Sequence, residues 1–181
     1  VQNVFETAYG AAADDETTVL VHFGAATTTV NKLADGTSSF TRDIANGGNA
    51  NTEEIQRQLG IGRYEAESYN CGREGRGIVP REVPEIVNQA VDQLAGEIQR
   101  SLDFYLATSG DRELSRICLS GGTANIQVLV DTLQGRSQVP VEVLDPTRAA
   151  EVDERALADL HGRGAQAVVS VGLALRKERE R

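Results

Sequence analysis

Hydrophobic and polar positions alternate most clearly over Val19–Phe23, where Val19, Val21 and Phe23 interleave with Leu20 and His22. A run this rich in β-branched residues predicts a strand buried on one or both faces. Gly24, Ala25 and Ala26 break it, and Thr28–Leu33 predicts a second strand. Asp35-Gly36 is a type I′ turn signal, because both central positions of that turn need positive φ. It leads into a third strand over Thr37–Asp43.

The period then changes to that of helices. Val1, Val4, Phe5 and Ala8 fall on one helical face before Gly10, as at the end of a helix arriving from elsewhere. Asn51 with Glu54 reads as a capping box, ahead of Ile55, Leu59 and the stop at Gly60. Tyr64–Tyr69 predicts a short second helix. Over Val79–Ala107, Val83, Ile86, Val87, Ala90, Val91, Leu94, Ile98, Leu102, Tyr105 and Leu106 recur at spacings of three and four. This predicts a long amphipathic helix laid on a sheet, its stripe serving as core. Gly96 within it suggests a close helix–strand crossing.

A strand over Leu114–Leu119 runs into Ser120-Gly121-Gly122, then a helix carrying Ile126, Leu129, Val130 and Leu133, then a strand over Val139–Leu144. Strand, glycine turn, helix and strand make the layout of a parallel pair with a crossover helix. Ala165–Lys177 predicts a last helix, and Arg176–Arg181 a solvated charged tail.

Composition narrows the classes. The chain has 181 residues, 40% of them hydrophobic and 25% charged, as in an ordinary globular protein. A net charge of -9 and an aromatic content of 4% argue against nucleic acid, which selects positive surfaces and stacking platforms. Apolar runs fall short of the ~20 residues of a membrane helix, and no secretory leader is expected. A chain that starts at Val1 and contains no Met reads as a fragment of something longer. Cys71 and Cys118 read as free thiols, with Cys118 a small core residue and Cys71 in an exposed glycine-rich loop.

Candidate chemistry gathers in two glycine turns. The Gly24–Thr27 turn presents backbone N–H groups with nothing bulky in front of them, so an anion could approach. An ordinary hairpin turn without a ligand is the other reading. The Ser120-Gly121-Gly122 turn, set between a strand and a helix N-terminus, offers a second such approach or simply tight packing. Paired, the turns suggest one site, since ligands of open α/β sheets sit at strand carboxyl ends. No nucleophilic triad is visible. His22 reads as a hydrogen-bonded strand residue, His161 lies in a loop, and no zinc ligand set can be assembled. Asp43 is the single carboxylate near the first turn.

The order of these motifs resembles the second half of actin-like ATPases. Phe40-Thr41-Arg42-Asp43-Ile44-Ala45-Asn46-Gly47-Gly48-Asn49 with Thr52-Glu53-Glu54-Ile55-Gln56, the run from Gly96 to Tyr105, Leu119–Ala124, Val141–Pro146 and Val171–Arg176 are similar to the PilM family of type IV pilus assembly proteins, relatives of the division protein FtsA. The resemblance covers nearly the whole chain. It implies an α/β fold: the ribonuclease H-like half of an actin fold, a mixed five-stranded sheet with helices on both faces and a small inserted subdomain. Residues 1–17 would be an incoming helix and loop, 18–48 with 81–181 the ribonuclease H-like part, and 49–80 the insertion.

The resemblance also implies ATP with magnesium, bound between two such halves. Gly24, Ala25, Ala26 and Thr27 would then form the second phosphate loop, Gly121, Gly122 and Thr123 the adenosine loop, and Glu67 would approach the ribose. Two positions depart from the family. His22 stands where an acidic residue is often found, and Asn70 where a basic one usually follows the glutamate. Hydrolysis is therefore expected to be weak or absent, and so is nucleotide binding by this half alone. The implied role is that of a cytoplasmic scaffold, peripheral to the inner membrane and not inserted in it. Its implied partners are the cytoplasmic tail of PilN, held on the other half, further inner-membrane pilus proteins, and a second copy of itself. An FtsA-like filament protein and an active ATPase or phosphotransferase of the same fold are the alternatives.

Overall fold

The computed structural model describes residues 1–10, 16–34, 36–70, 83–109, 114–150, 153, 155, 160 and 162–176. A first helix, α1 (Gln2–Tyr9), ends at Gly10 with φ 83°. Three strands follow as an antiparallel meander: β1 (Thr17–Phe23), β2 (Thr28–Ala34) and β3 (Thr37–Ile44). Next come α2 (Gly48–Leu59), α3 (Arg63–Asn70) and the long α4 (Val83–Ser109). The chain returns through β4 (Arg116–Gly121), α5 (Gln127–Ser137), β5 (Val141–Val143) and α6 (Gly164–Ala174).

The five strands form one mixed sheet in the order β3-β2-β1-β4-β5. β1 is antiparallel to β2 and parallel to β4, and β4 is parallel to β5. The central strand feeds both faces, as its continuous apolar run predicts. Val19, Val21 and Phe23 join Ile117 and Leu119 beneath Leu94, Ile98 and Leu102 of α4 and Leu129 and Leu133 of α5. Leu20 joins Leu33, Cys118 and Leu144 against Val4 and Phe5 of α1 and Val168 of α6. Each large side chain buried this way contributes about 1.5–3 kcal/mol, so the two layers together hold the sheet. The helices therefore cover both faces, as the α/β reading requires. α2 and α3 pack separately, through Ile55, Ala66 and Tyr69 against Val83 and Ile86 at the start of α4.

Several boundaries differ from the sequence reading for identifiable reasons. Asn51 is not a cap: α2 starts at Gly48 with Gly47 as its N-cap and no side-chain cap bond, so Asn51 is buried within the helix. Gly96 does not mark a helix–strand crossing. A Cβ there would meet the guanidinium groups of Arg136, on α5, and Arg100 at 3.4 and 3.6 Å. α4 is described from Val83, with Pro84 in its first turn, where a missing N–H costs nothing. Cys71, Asp35, His161 and the charged tail beyond Arg176 lie outside the described residues. Gly36, at φ 72°, closes the β2–β3 turn. Cys118 is a free, buried thiol.

One core residue has no apolar signature. Lys32, 1% exposed, lies in β2 on the α4 side of the sheet. Its ammonium donates to Tyr105 Oη at 2.6 Å and sits 4.1 Å from that ring's centroid, while Phe40 packs on the same ring. A buried ammonium persists only with such partners. Among the described residues no helix is long and apolar enough to cross a membrane.

Candidate functional site

The two glycine turns meet at one rim. In the parallel β1–β4 ladder His22 pairs with Ser120 and Phe23 with Gly121, so both strands end side by side and Gly24 and Gly122 follow together. The approach is closer than any side chain allows. Gly121 has φ 97°, and a Cβ on it would lie 2.1 Å from Phe23 O. Only glycine can end β4 here.

The first turn is fixed from below by α2. Gly48 N–H donates to Gly24 O at 2.9 Å and Asn49 N–H to Ala25 O at 2.8 Å, while Gly24 N–H donates to Thr27 O at 2.9 Å. These bonds explain why α2 needs no side-chain cap: the turn's carbonyls satisfy its first amides. Gly47 is required by the same contact, since a Cβ there would lie 2.7 Å from both Gly24 O and Thr27 N.

This arrangement sets the direction of the remaining amides. There are no cis peptides among the described residues, and in a trans peptide the N–H points opposite to the C=O. With Gly24 O and Ala25 O turned into α2, the amides of Ala25 and Ala26 point away from it. Ala25, Ala26 and Thr27 are exposed. Two successive outward N–H groups, backed by the positive end of a helix, are donors suited to an anion.

Glu67 is linked to the first turn only indirectly, through α2. Thr52 Oγ1 lies 2.9 Å from Gly48 O and 2.6 Å from Glu67 Oε2, so α2 connects the turn to the exposed carboxylate on α3. Gly47, Gly48 and Thr52 belong to the run that carries the family resemblance, but nothing local marks the doublet as the seat of α2 or Thr52 as the link to Glu67. The nearest signal was the glycine doublet directly before a helix with no capping side chain at its true start.

The second turn is built differently from its sequence reading. No α-helix N-terminus follows the glycines. Gly122–Asn125 form a 3-10 turn, Ile126 is extended, and α5 begins only at Gln127. Thr123 is buried, 3% exposed, so its hydroxyl is not at the surface; Gly122 is half-buried. Beyond this turn the rim continues into a cleft of about 330 Å³ lined by Asn125, Val143, Asp145 and Gly164.

His22 is hydrogen-bonded, with Nδ1 3.0 Å from Ser120 Oγ, and burial pushes its pKa below the ordinary histidine value. The neutral ring is therefore favoured. The Asp43 carboxylate accepts from Thr29 Oγ1 at 2.7 Å. Among the described residues there is no group of three or more His, Cys, Asp or Glu side chains that could hold a metal. Magnesium takes hard oxygen ligands; the His22 imidazole is not one, and the Asp43 carboxylate, two strands away, is engaged by Thr29.

Known proteins share this fold. The chain is similar over 97% of its length to a solved structure of a PilM–PilN type IV pilus biogenesis complex, with TM-score 0.78 and 22% identity, covering 50% of that chain. It is also similar to the ethanolamine utilization protein EutJ of Carboxydothermus hydrogenoformans (TM-score 0.64, 20% identity, 95% of this chain and 52% of that one). A third is MreB 5 of Spiroplasma citri bound to AMPPNP (TM-score 0.65, 13% identity, 96% and 56%). The chain thus spans about half the length of these relatives, and the shared fold is actin-like. The family described as type IV pilus assembly protein PilM matches residues 2–178. With two glycine turns joined at one rim of an actin-like sheet and a family match along nearly its whole length, the chain belongs to the PilM family of type IV pilus assembly proteins.

Proposed function

We propose that this chain is the nucleotide-binding half of a type IV pilus assembly scaffold. ATP is its ligand, with phosphates on the Ala25 and Ala26 amides and the ribose near Glu67. The observation that carries this reading is the seating of Gly24 O and Ala25 O on α2, which turns both amides outward beside Gly121. The base then lies toward Gly121, Gly122 and the backbone of Thr123.

The ligand acts by favouring a closed arrangement of two halves, which requires differential affinity for the closed state and no bond cleavage. Hydrolysis is weak in this reading, because His22 stands where the family often has an acidic residue and no metal ligand set is found among the described residues. The whole protein works at the cytoplasmic face of the inner membrane. There it holds the PilN tail on its other half and links inner-membrane assembly proteins to the motor. Support for PilN comes from the solved complex of a PilM relative with it.

The test is ATP affinity by calorimetry in the full-length protein and in this chain alone. An Ala26→Asp substitution is expected to weaken ATP binding to the full-length protein at least tenfold, by placing a carboxylate against phosphate. Unchanged affinity in the variant contradicts the reading.

A further inference from the structure

Away from the glycine rim, a cleft of about 280 Å³ separates α2 from α4, and carboxamides line it: Asn46, Asn51, Gln58, Gln89 and Gln93. We propose that this cleft and its neighbour on α4 dock an extended, uncharged polypeptide segment of a partner protein through its peptide groups.

Two groups there are left unmatched. Asn51, 6% exposed, has a buried Nδ2 with no hydrogen-bond partner, and Asn46 has a buried Oδ1 with none. The other end of Asn46 is held, its Nδ2 lying 3.4 Å from Glu97 Oε2. Leaving such groups unpaired is costly, so an occupant that pairs them recovers that cost. One is a donor and the other an acceptor. A peptide unit offers the complementary acceptor and donor, and the broad terminal torsion of asparagine lets the Asn51 amide swing toward the cleft.

The lining excludes other ligand classes. Among the described residues it contains no Lys or Arg to hold an anion and no aromatic ring on which a base could stack. Its one carboxylate, Glu54, is taken by Arg57 Nε at 3.0 Å and Gln58 Nε2 at 2.5 Å. The shape favours length. A second depression of about 520 Å³ shares Gln89 and Gln93 as a wall and continues past Asn88 and Thr132 to Val128, itself 40% exposed. Its one carboxylate, Asp92, is paired with Arg136. An occupant crossing that shared ridge must be elongated, as a strand-like chain rising about 3.3 Å per residue is. On a chain of net charge -9, this nearly neutral band suits an uncharged segment.

The test is a titration of the 15N-labelled chain with a blocked hexapeptide of Gly, Ala and Asn, following the side-chain amide resonances of Asn46, Asn51, Gln89 and Gln93. Saturable shifts of all four are expected. An Asn51→Leu variant, which removes the unpaired donor, is expected to bind about tenfold more weakly, and Gln93→Glu, an exposed substitution that leaves the core untouched, to weaken binding as well. Absent shifts at millimolar peptide, equal affinity in both variants, or the same response from acetamide at matched amide concentration would each overturn the proposal. Nucleotide binding at the glycine rim is not involved, so either idea can fail alone.

Discussion

Phe23 and Gly121 are register partners in adjacent parallel strands, and the carbonyl oxygen of the first occupies the space that a Cβ on the second would need. The strand ends are locked together by this contact. Gly121→Ala must displace β4 or strain a residue at φ 97°, and a loss of about 2–4 kcal/mol is expected. Urea denaturation measures it. Gly135→Ala, where nothing lies within 4 Å of the added Cβ, should change stability little or raise it.

Lys32 and Tyr105 form the second relationship open to test. Removing the tyrosine hydroxyl takes one partner from a buried ammonium, so Tyr105→Phe is expected to cost about 2–4 kcal/mol. Once Lys32→Met has removed the charge, the same tyrosine change should cost much less. A double-mutant cycle by chemical denaturation reads the coupling.

Cys118 is expected to be inert in the folded chain. Burial, with the Glu142 carboxylate beside it, raises its thiol from 9.0 to about 12. The folded state then holds its proton where the unfolded state releases it. The stability this group confers is full below pH 9 and is lost as pH rises toward 12. In a Cys71→Ser background, a thiol reagent at pH 8 should label Cys118 only under denaturing conditions, and Cys118→Ala should flatten the alkaline loss of stability.

His22 works in the opposite direction. Its folded pKa lies below the ordinary 6.5 because of burial, so the unfolded state binds the proton more readily. Its contribution is full above the ordinary histidine value and is lost as pH falls through the folded one. His22→Gln should reduce the acid-side loss of stability, as seen in denaturation midpoints between pH 7 and pH 5.

Much of this was legible in the sequence because the signals were local and mutually consistent. The buried central strand followed from Val19–Phe23, the long helix from its stripe, and the meeting of the turns from two strand-end glycines in a βαβ layout. Less legible were features set by contacts far along the chain. Asn51 has the make-up of a cap, but the carbonyls of Gly24 and Ala25 had already satisfied the start of α2. Glu67 is bonded to Thr52, 15 positions away on another helix, a contact no local pattern announces. The burial of Lys32 depends on Tyr105, 73 positions away, and no pattern within β2 announces it.

The central claim is that the Ala25 and Ala26 amides receive phosphate. The most direct measurement is the amide resonances of the 15N-labelled full-length protein as ATP is added. The Ala25 and Ala26 amides are expected to move the most, and those of Gly48 and Asn49, already bonded to the turn, to move little. Unmoved Ala25 and Ala26 resonances at saturating ATP, or shifts confined to Gly48 and Asn49, would contradict it.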